Sequence, residues 1–362
     1  MSATGRELGL GLQTDKTVGE YGPLARAAED AGFDVVTTFN DLWFQPALPA
    51  LLEIARATDR VRVGPSCLNP FTIHPVEIAG QIAALDAASD GRAFLGLARG
   101  AWLEPLGVDQ TQPVQAIHEA WEVIRRLLAG DESGYDGERF SLPAGERLRY
   151  PVLRRSVPLL VGTWSARLAA FAGEAAQELK VGGSANPDVV PVVREWLDGP
   201  DVRIVIGAVT VVDEDGERAR AIARREVAMY LAVVAALDPT VSLDPGLISR
   251  VRALVSTHED EAAGALISDE VLDRFAFAGT PEEIAAHARA VFEAGAGRID
   301  FGTPHGVPEA RGVELLFPAI RNGCAREAGP TLLRSASQAT PWCRPLAGAR
   351  DPETRRHYWT GH

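Results

Sequence analysis

Hydrophobic periodicity switches back and forth along this chain, and that alternation limits its folds more than any other feature. Eight short runs read as strands: Glu7–Thr14, Phe33–Phe39, Val61–Ser66, Ala93–Ala98, Pro158–Gly162, Leu179–Gly182, Val202–Val212 and Gly297–Gly302. They are short, mostly apolar, and several are rich in β-branched residues. Between them lie longer segments with apolar residues three and four apart, such as Val18–Ala31, where Leu24, Ala27, Ala28 and Ala31 share one face. Strands separated by helices pair in parallel, because each crossover returns the chain to the same edge. Eight strands and about eight helices are the arithmetic of an α/β fold, a (β/α)8 TIM barrel. A doubly wound sheet would need a dinucleotide fingerprint after its first strand. Here Gly9-Leu10-Gly11-Leu12-Gln13-Thr14 lacks the third glycine, and its glycines lie inside the strand.

The rhythm is interrupted twice. The expected organisation is a barrel over residues 1–322, with insertions near 134–150 and 237–277. An irregular extension follows over 323–362, rich in Pro, Arg and Ser. Local signals place several boundaries. Gly32 reads as a helix C-terminal glycine. Thr280-Pro281-Glu282-Glu283 reads as a capping box with proline in the first turn.

Composition removes several function classes. A net charge of −13 argues against nucleic-acid or anionic-membrane partners. No apolar run of about 18 residues is present. Three cysteines without a CxxC pattern fit a reduced, cytoplasmic setting. Of 36 basic residues only Lys16 and Lys180 are lysine, so a P-loop is absent and a Schiff base would have to use one of those two. His118, His258 and His287 show no HExxH spacing, so no metal site is expected. There is no GxSxG elbow.

Barrel chemistry sits at the C-terminal ends of the strands. Those ends supply Asn40 and Asp41, then Ser66, Cys67 and Asn69, then Arg99, Gly100, Ala101 and Glu104. They continue with Gly162, Thr163 and Trp164, with Gly182, Gly183 and Ser184, and with His305. Trp43, Trp102 and Trp164 all fall at such ends, which suits a planar aromatic ligand. Gly162-Thr163 and Gly182-Gly183-Ser184 precede helices, where backbone N–H groups and the helix dipole favour phosphate. Asp41, Glu104 and His305 are the candidate acids, whereas His74 before Pro75 reads as a helix cap.

The segments LARAAEDAGFDVV, RVRVGPSCLNPFTIHPVEIAGQIAALDAASDGRAFLGLARG and AGTPEEIAAHARAVFEAGAGRIDFGTP resemble the luciferase-like monooxygenase superfamily. Within it, NPFTIHP and VPLLVGTWSARLAAFAGEAA are most similar to the deazaflavin-dependent group that includes methylenetetrahydromethanopterin reductase. The resemblance runs from about Glu7 to Asn322. It implies a hydride-transferring oxidoreductase using coenzyme F420, with an FMN-dependent monooxygenase or a non-catalytic coenzyme-binding protein as alternatives. It also implies a cis peptide at Ser66-Cys67, behind the ring. Asn69, Arg99, Gly100, Ala101, Gly162, Thr163, Gly182, Gly183 and Ser184 match segments that hold the ring, ribityl chain and phosphate. Many relatives carry Asp-His after strand two, where this chain has Asn40-Asp41. Gln177 stands where an acidic residue is common. The expected partner is a small-molecule substrate, and the expected assembly a homodimer.

Overall fold

A computed structural model of the chain describes residues 5–101, 103–197 and 201–323. Trp102 and the extension from residue 324 onward lie outside the described residues. Eight parallel strands form the barrel: β1 (Glu7–Leu12), β2 (Val35–Thr38), β3 (Arg62–Pro65), β4 (Leu95–Ala98), β5 (Leu159–Gly162), β6 (Glu178–Gly182), β7 (Arg203–Val212) and β8 (Arg298–Gly306). Their order is β3-β2-β1-β8-β7-β6-β5-β4. Bridges Val63–Ala93 and Leu68–Leu97 bring β3 to β4 and all but close the ring. This is the (β/α)8 barrel that the alternation requires.

Side chains alternate across each strand. The outward set, including Leu10, Val36, Val63, Leu97, Leu179 and Ile206, packs under the helices in the main apolar core. Each such side chain contributes about 1.5–3 kcal/mol when fully buried. Inside the barrel, Val35, Phe94, Leu160 and Val205 form only a small apolar cluster. Many of the other inward positions are charged or glycine, among them Gly9, Glu178, Lys180, Gly207, Arg298 and Asp300.

Helix ends follow the local signals. Gly32 ends helix Tyr21–Ala31 at φ 96°. His74 caps helix Pro75–Ala88, its ring nitrogen accepting from the Val76 amide at 3.3 Å. Thr280 and Glu283 exchange the two bonds of a capping box.

Two strand assignments need correction. Ala276–Gly279 is a ninth strand, paired in parallel with Val209–Val212 on β7. The insertion expected over 237–277 takes in its first two residues, Ala276 and Phe277. β7 is ten residues long, and β6 pairs with it only as far as Gly207, which leaves its further end with a free edge on that side. The last barrel strand also extends to Gly306, with a register shift between Gly302 and His305.

Residues 134–150 include a two-stranded hairpin, Tyr135–Asp136 with Ser141–Leu142. The Glu119 carboxylate anchors it by accepting the amides of Glu138, Arg139 and Phe140. After β7, helix Gly216–Val234 and the short helices Pro245–Ser256, Asp260–Ala265 and Asp269–Phe275 enclose a second apolar cluster around Val227, Leu231, Val251 and Phe275.

Candidate active site

The lower barrel holds an ion network. Glu178 and Lys180 project inward from β6, and Arg298 and Asp300 from β8. The Glu178 carboxylate meets Arg298 at 2.7 Å, Arg62 at 2.8 Å and Arg203 at 3.2 Å. Glu7 bridges Arg62 and Arg203. Asp300 is shared by Arg298 at 2.8 Å and Lys180 at 2.8 Å. Four cations thus face three carboxylates, leaving one net positive charge. Burial alone would push Glu178 up, but the Arg298 and Arg62 guanidinium groups outweigh it and hold the carboxyl at about 2. Asp300 is lowered for the same reason, against its burial, by Arg298 and Lys180.

Glycines make room for these groups. A methyl on Gly9 would lie 2.0 Å from the Asp300 carboxylate, and one on Gly207 would lie 2.7 Å from Lys180 Cε.

Lys180 connects the network to the barrel mouth. Its ammonium donates to Ser66 Oγ at 2.8 Å and lies 5.7 Å from the Phe39 ring centroid. The Ser66-Cys67 peptide is cis, as the resemblance implied. Cys67 Sγ fills space left by Gly96 and Gly162, where added methyl groups would come within 3.2 and 2.9 Å of it. Burial pushes this thiol up to about 11, so it stays protonated near neutrality. Phe39 covers Gly11, where a methyl would meet its ring at 2.8 Å. Gly182 differs from these: a methyl there meets nothing within 4 Å. The inward face of β6 therefore ends in open space above Lys180.

The four candidate acid/base and orienting residues separate. Asp41 is half-buried, and its Oδ2 accepts from Gln13 Nε2 at 3.1 Å. Burial raises its carboxyl above the ordinary range, against the Gln13 hydrogen bond and the Lys180 charge. Asn40 uses its Oδ1 to accept the Ala47 amide at 3.0 Å, at the start of helix Ala47–Ala57. Glu104 is exposed on a single 3-10 turn, Glu104–Leu106. His305 is a correction. It is fully buried, with Nδ1 3.1 Å from Glu309 and Nε2 3.0 Å from the Phe301 carbonyl. Both ring nitrogens are committed within the wall, and neither faces the mouth.

The anion expectation also changes. The amides of Gly183 and Ser184 both donate to the Gly207 carbonyl, at 2.7 and 3.2 Å. The Thr163 amide donates to the Lys180 carbonyl at 2.9 Å, and Ser184 is fully buried with Oγ accepting from Asn186. These groups are spent inside the protein. Helix Ala166–Ala175, in contrast, has no side-chain cap at its N-terminus. Trp164 sits beside it and donates from Nε1 to the Gly182 carbonyl at 2.9 Å, tying the ends of β5 and β6 together. Arg99 and Arg167 are exposed near these ends, with no carboxylate in ion-pair range among the described residues.

Asn69 is buried, its Oδ1 accepting the Phe71 and Thr72 amides. Gly100, at φ +81°, lies so close to Asn69 that a methyl would sit 3.0 Å from its amide. Ala101 is exposed next to it. Trp43 is 82% exposed and walls nothing off in this conformation.

The structure thus gathers Ser66, Cys67, Gly162, Trp164 and Gly182 around one opening. It adds two groups absent from the sequence-based site, Lys180 and Asp300, and joins Gln13, at the end of β1, to Asp41. A signal for Lys180 and Asp300 was present. Glu178-Leu179-Lys180 and Arg298-Ile299-Asp300 place charges two apart within strands. Helices cover the outside of a parallel barrel, so such charges must point inward.

Over residues 2–298 the sequence matches the family described as luciferase-like monooxygenase. The 5,10-methylenetetrahydromethanopterin reductase of Archaeoglobus fulgidus is 28% identical over 334 residues, covering 87% of this chain and 98% of that protein. Among solved structures, the coenzyme F420 dependent tetrahydromethanopterin reductase of Methanopyrus kandleri is similar with a TM-score of 0.79 at 22% identity, over 88% of this chain and 99% of that one. An F420-dependent secondary alcohol dehydrogenase, in complex with an F420-acetone adduct, gives a TM-score of 0.71 at 20% identity, over 88% and 100%. Structural likeness at such identities establishes the fold alone. The family match covers most of the chain, which therefore belongs to the luciferase-like monooxygenase family of enzymes.

Proposed function

We propose that this chain is a coenzyme F420-dependent oxidoreductase that moves a hydride between C5 of the deazaflavin and a small organic substrate. The observation that carries the reading is the opening at the end of β6. Gly182 faces open space, where an added methyl would meet nothing within 4 Å, above Lys180 and beside the Ser66-Cys67 peptide and the Trp164 indole. A planar ring needs a floor of that kind, and the relatives named above include F420-dependent enzymes.

The residues present fit such a group. Ser66 and Cys67 would back the ring, and the open space at Gly182 would leave room beside it. Arg99, Arg167 and the uncapped start of helix Ala166–Ala175, beside Trp164, would face the phosphate. When bound, the coenzyme supplies the hydride chemistry, and the protein supplies position and charge. Asp41 would hold or move a proton at the substrate, with Gln13 orienting its carboxyl. The free thiol of Cys67 suits a cytoplasmic setting.

The test is calorimetric titration of the purified protein with coenzyme F420 and, separately, with FMN. The expected result is saturable binding of F420 and binding of FMN at least tenfold weaker. Tighter binding of FMN would replace this reading with that of an FMN-dependent monooxygenase. Substrate class then follows from oxidation of reduced F420 against a panel of small organic acceptors. Binding without turnover of any of them would favour a non-catalytic coenzyme-binding role.

A further inference from the structure

Lys180 is one of two lysines in a chain that otherwise uses arginine for every basic residue. Its side chain is 8% exposed, in the barrel axis directly under the mouth. Asp300 is its counter-ion at 2.8 Å, but Asp300 also neutralises Arg298 at 2.8 Å. One carboxylate therefore serves two cations, and Lys180 is the upper end of the network, its charge also felt by Asp41 at the mouth. The ammonium donates to Ser66 Oγ at 2.8 Å. The Ser66 hydroxyl in turn hydrogen-bonds the Cys67 thiol, so the ammonium polarises the Ser66-Cys67 pair as a unit. Ser66 directly follows β3, at the end of the strand that faces the mouth.

We propose that Lys180 is a positioning residue which, acting through Ser66, makes the site bind the hydride-loaded form of the coenzyme in preference to the oxidised form. This rests on the F420 reading above. The charge balance gives the direction. A hydride is two electrons and one proton, so the group that accepts it gains one unit of negative charge until a second proton follows. A fixed positive charge below the floor favours that form. In a low-dielectric interior the effect is not quenched by solvent.

The same geometry makes opposite demands on its two charged members. Removing the lysine takes the positive charge away. Removing Asp300's charge unmasks it. A purely structural network would show damage of one kind from either change.

The experiment measures anaerobic dissociation constants for oxidised and for reduced coenzyme F420 at one pH, in the full-length parent and in K180M, S66A and D300N. Circular dichroism monitors the fold. The readout is the ratio of the oxidised to the reduced constant. K180M is expected to lower it on the order of tenfold, the change for one unit charge about 10 Å away at an effective dielectric constant near 20. S66A should move it the same way by a smaller factor, and D300N the opposite way. An unchanged ratio in folded K180M and S66A overturns the inference, as does a shift of K180M and D300N in one direction. Should K180M or D300N fail to fold, S66A, which removes no charge, decides alone. A parent that binds neither form of the coenzyme refutes the F420 reading itself. A parent that binds both while the variants leave the ratio unmoved refutes only the role of Lys180.

Discussion

Replacing Gly182 and, separately, Gly183 by alanine places a methyl group at neighbouring positions with opposite surroundings. At Gly182 the backbone is ordinary strand and the added carbon meets nothing within 4 Å. Where the backbone is compatible, glycine to alanine stabilises by about 0.4–1 kcal/mol, because the unfolded chain loses freedom. At Gly183 φ is +78°, and the carbon would lie 2.9 Å from Val234 Cγ2 and 3.3 Å from Cγ1. Left-handed backbone at a non-glycine residue costs on the order of 1–3 kcal/mol. Overpacking against Val234 adds about 1–3 kcal/mol more. The two variants are therefore expected to differ by at least about 2 kcal/mol in stability, with Gly183→Ala below the parent and Gly182→Ala at or above it.

Ligand affinity is expected to run the other way. The methyl of Gly182→Ala occupies the cradle assigned to the coenzyme, and overlap with a seated ligand costs about 1–3 kcal/mol, a loss of roughly tenfold to a hundredfold in Kd. The methyl of Gly183→Ala points at Val234, away from the mouth, so the folded variant keeps the parent's affinity. Thermal unfolding and calorimetric titration of the same two preparations read both quantities. Undiminished coenzyme affinity in Gly182→Ala would refute the assignment of the cradle. A melting temperature for Gly183→Ala equal to the parent's would refute the backbone argument.

Asp41→Asn is expected to lower turnover by about 10²–10⁴ while leaving coenzyme affinity unchanged, and equal turnover would remove Asp41 from the mechanism. The Gln13 hydrogen bond works against the rise in the Asp41 carboxyl. Gln13→Leu should therefore keep Asp41 protonated to higher pH and carry the alkaline limb of kcat/KM upward, and a stationary limb contradicts this. Glu178 is depressed from an ordinary value of 4.5 to about 2, so its contribution is complete above pH 4.5 and is lost as pH falls through about 2. That contribution is about 3 kcal/mol, and urea unfolding of Glu178→Gln across this window should show a shallower pH dependence than the parent. Cys67, pushed up to about 11, should resist iodoacetamide at pH 8 and react only as pH approaches that value, whereas fast alkylation at pH 8 contradicts its burial.

Most of the architecture was legible in the sequence, because the outward faces of the strands and the inward faces of the helices repeat one pattern. Leu10, Val36, Leu97 and Leu179 declare themselves through periodicity, and Gly32 and Thr280 through terminal chemistry. The ninth strand was not legible: Ala276–Gly279 is four residues long, and only the free end of β7 makes it a strand. At the site, strand ends indicated which residues reach the mouth but not what their polar atoms already hold. His305 sits on the right strand, yet Glu309 and the Phe301 carbonyl claim its ring. Gly183 and Ser184 precede a helix as expected, yet the Gly207 carbonyl claims their amides. Such commitments are contacts between segments far apart in sequence, and local spacing carries no information about them.

The charged barrel interior has to be accounted for by something besides stability. Taking an ion out of water costs several kcal/mol even when it is paired, and hydrophobic residues of similar volume often serve as well or better. This barrel instead clears space for ions, with Gly9 beside Asp300 and Gly207 beside Lys180. Breaking a single pair would be costly, about 3–5 kcal/mol, but that measures the price of an orphaned charge and not the worth of the network. What the network does that an apolar core could not is hold a fixed positive charge under the mouth of a protein whose net charge is −13. Its lower members, Glu7, Arg62, Arg203 and Glu178, sit where their strands begin, at the end opposite the mouth, and they keep Arg298 paired so that Asp300 is shared upward with Lys180. In that arrangement the deep ion pairs and the surface chemistry are one device, with Ser66 as its contact point.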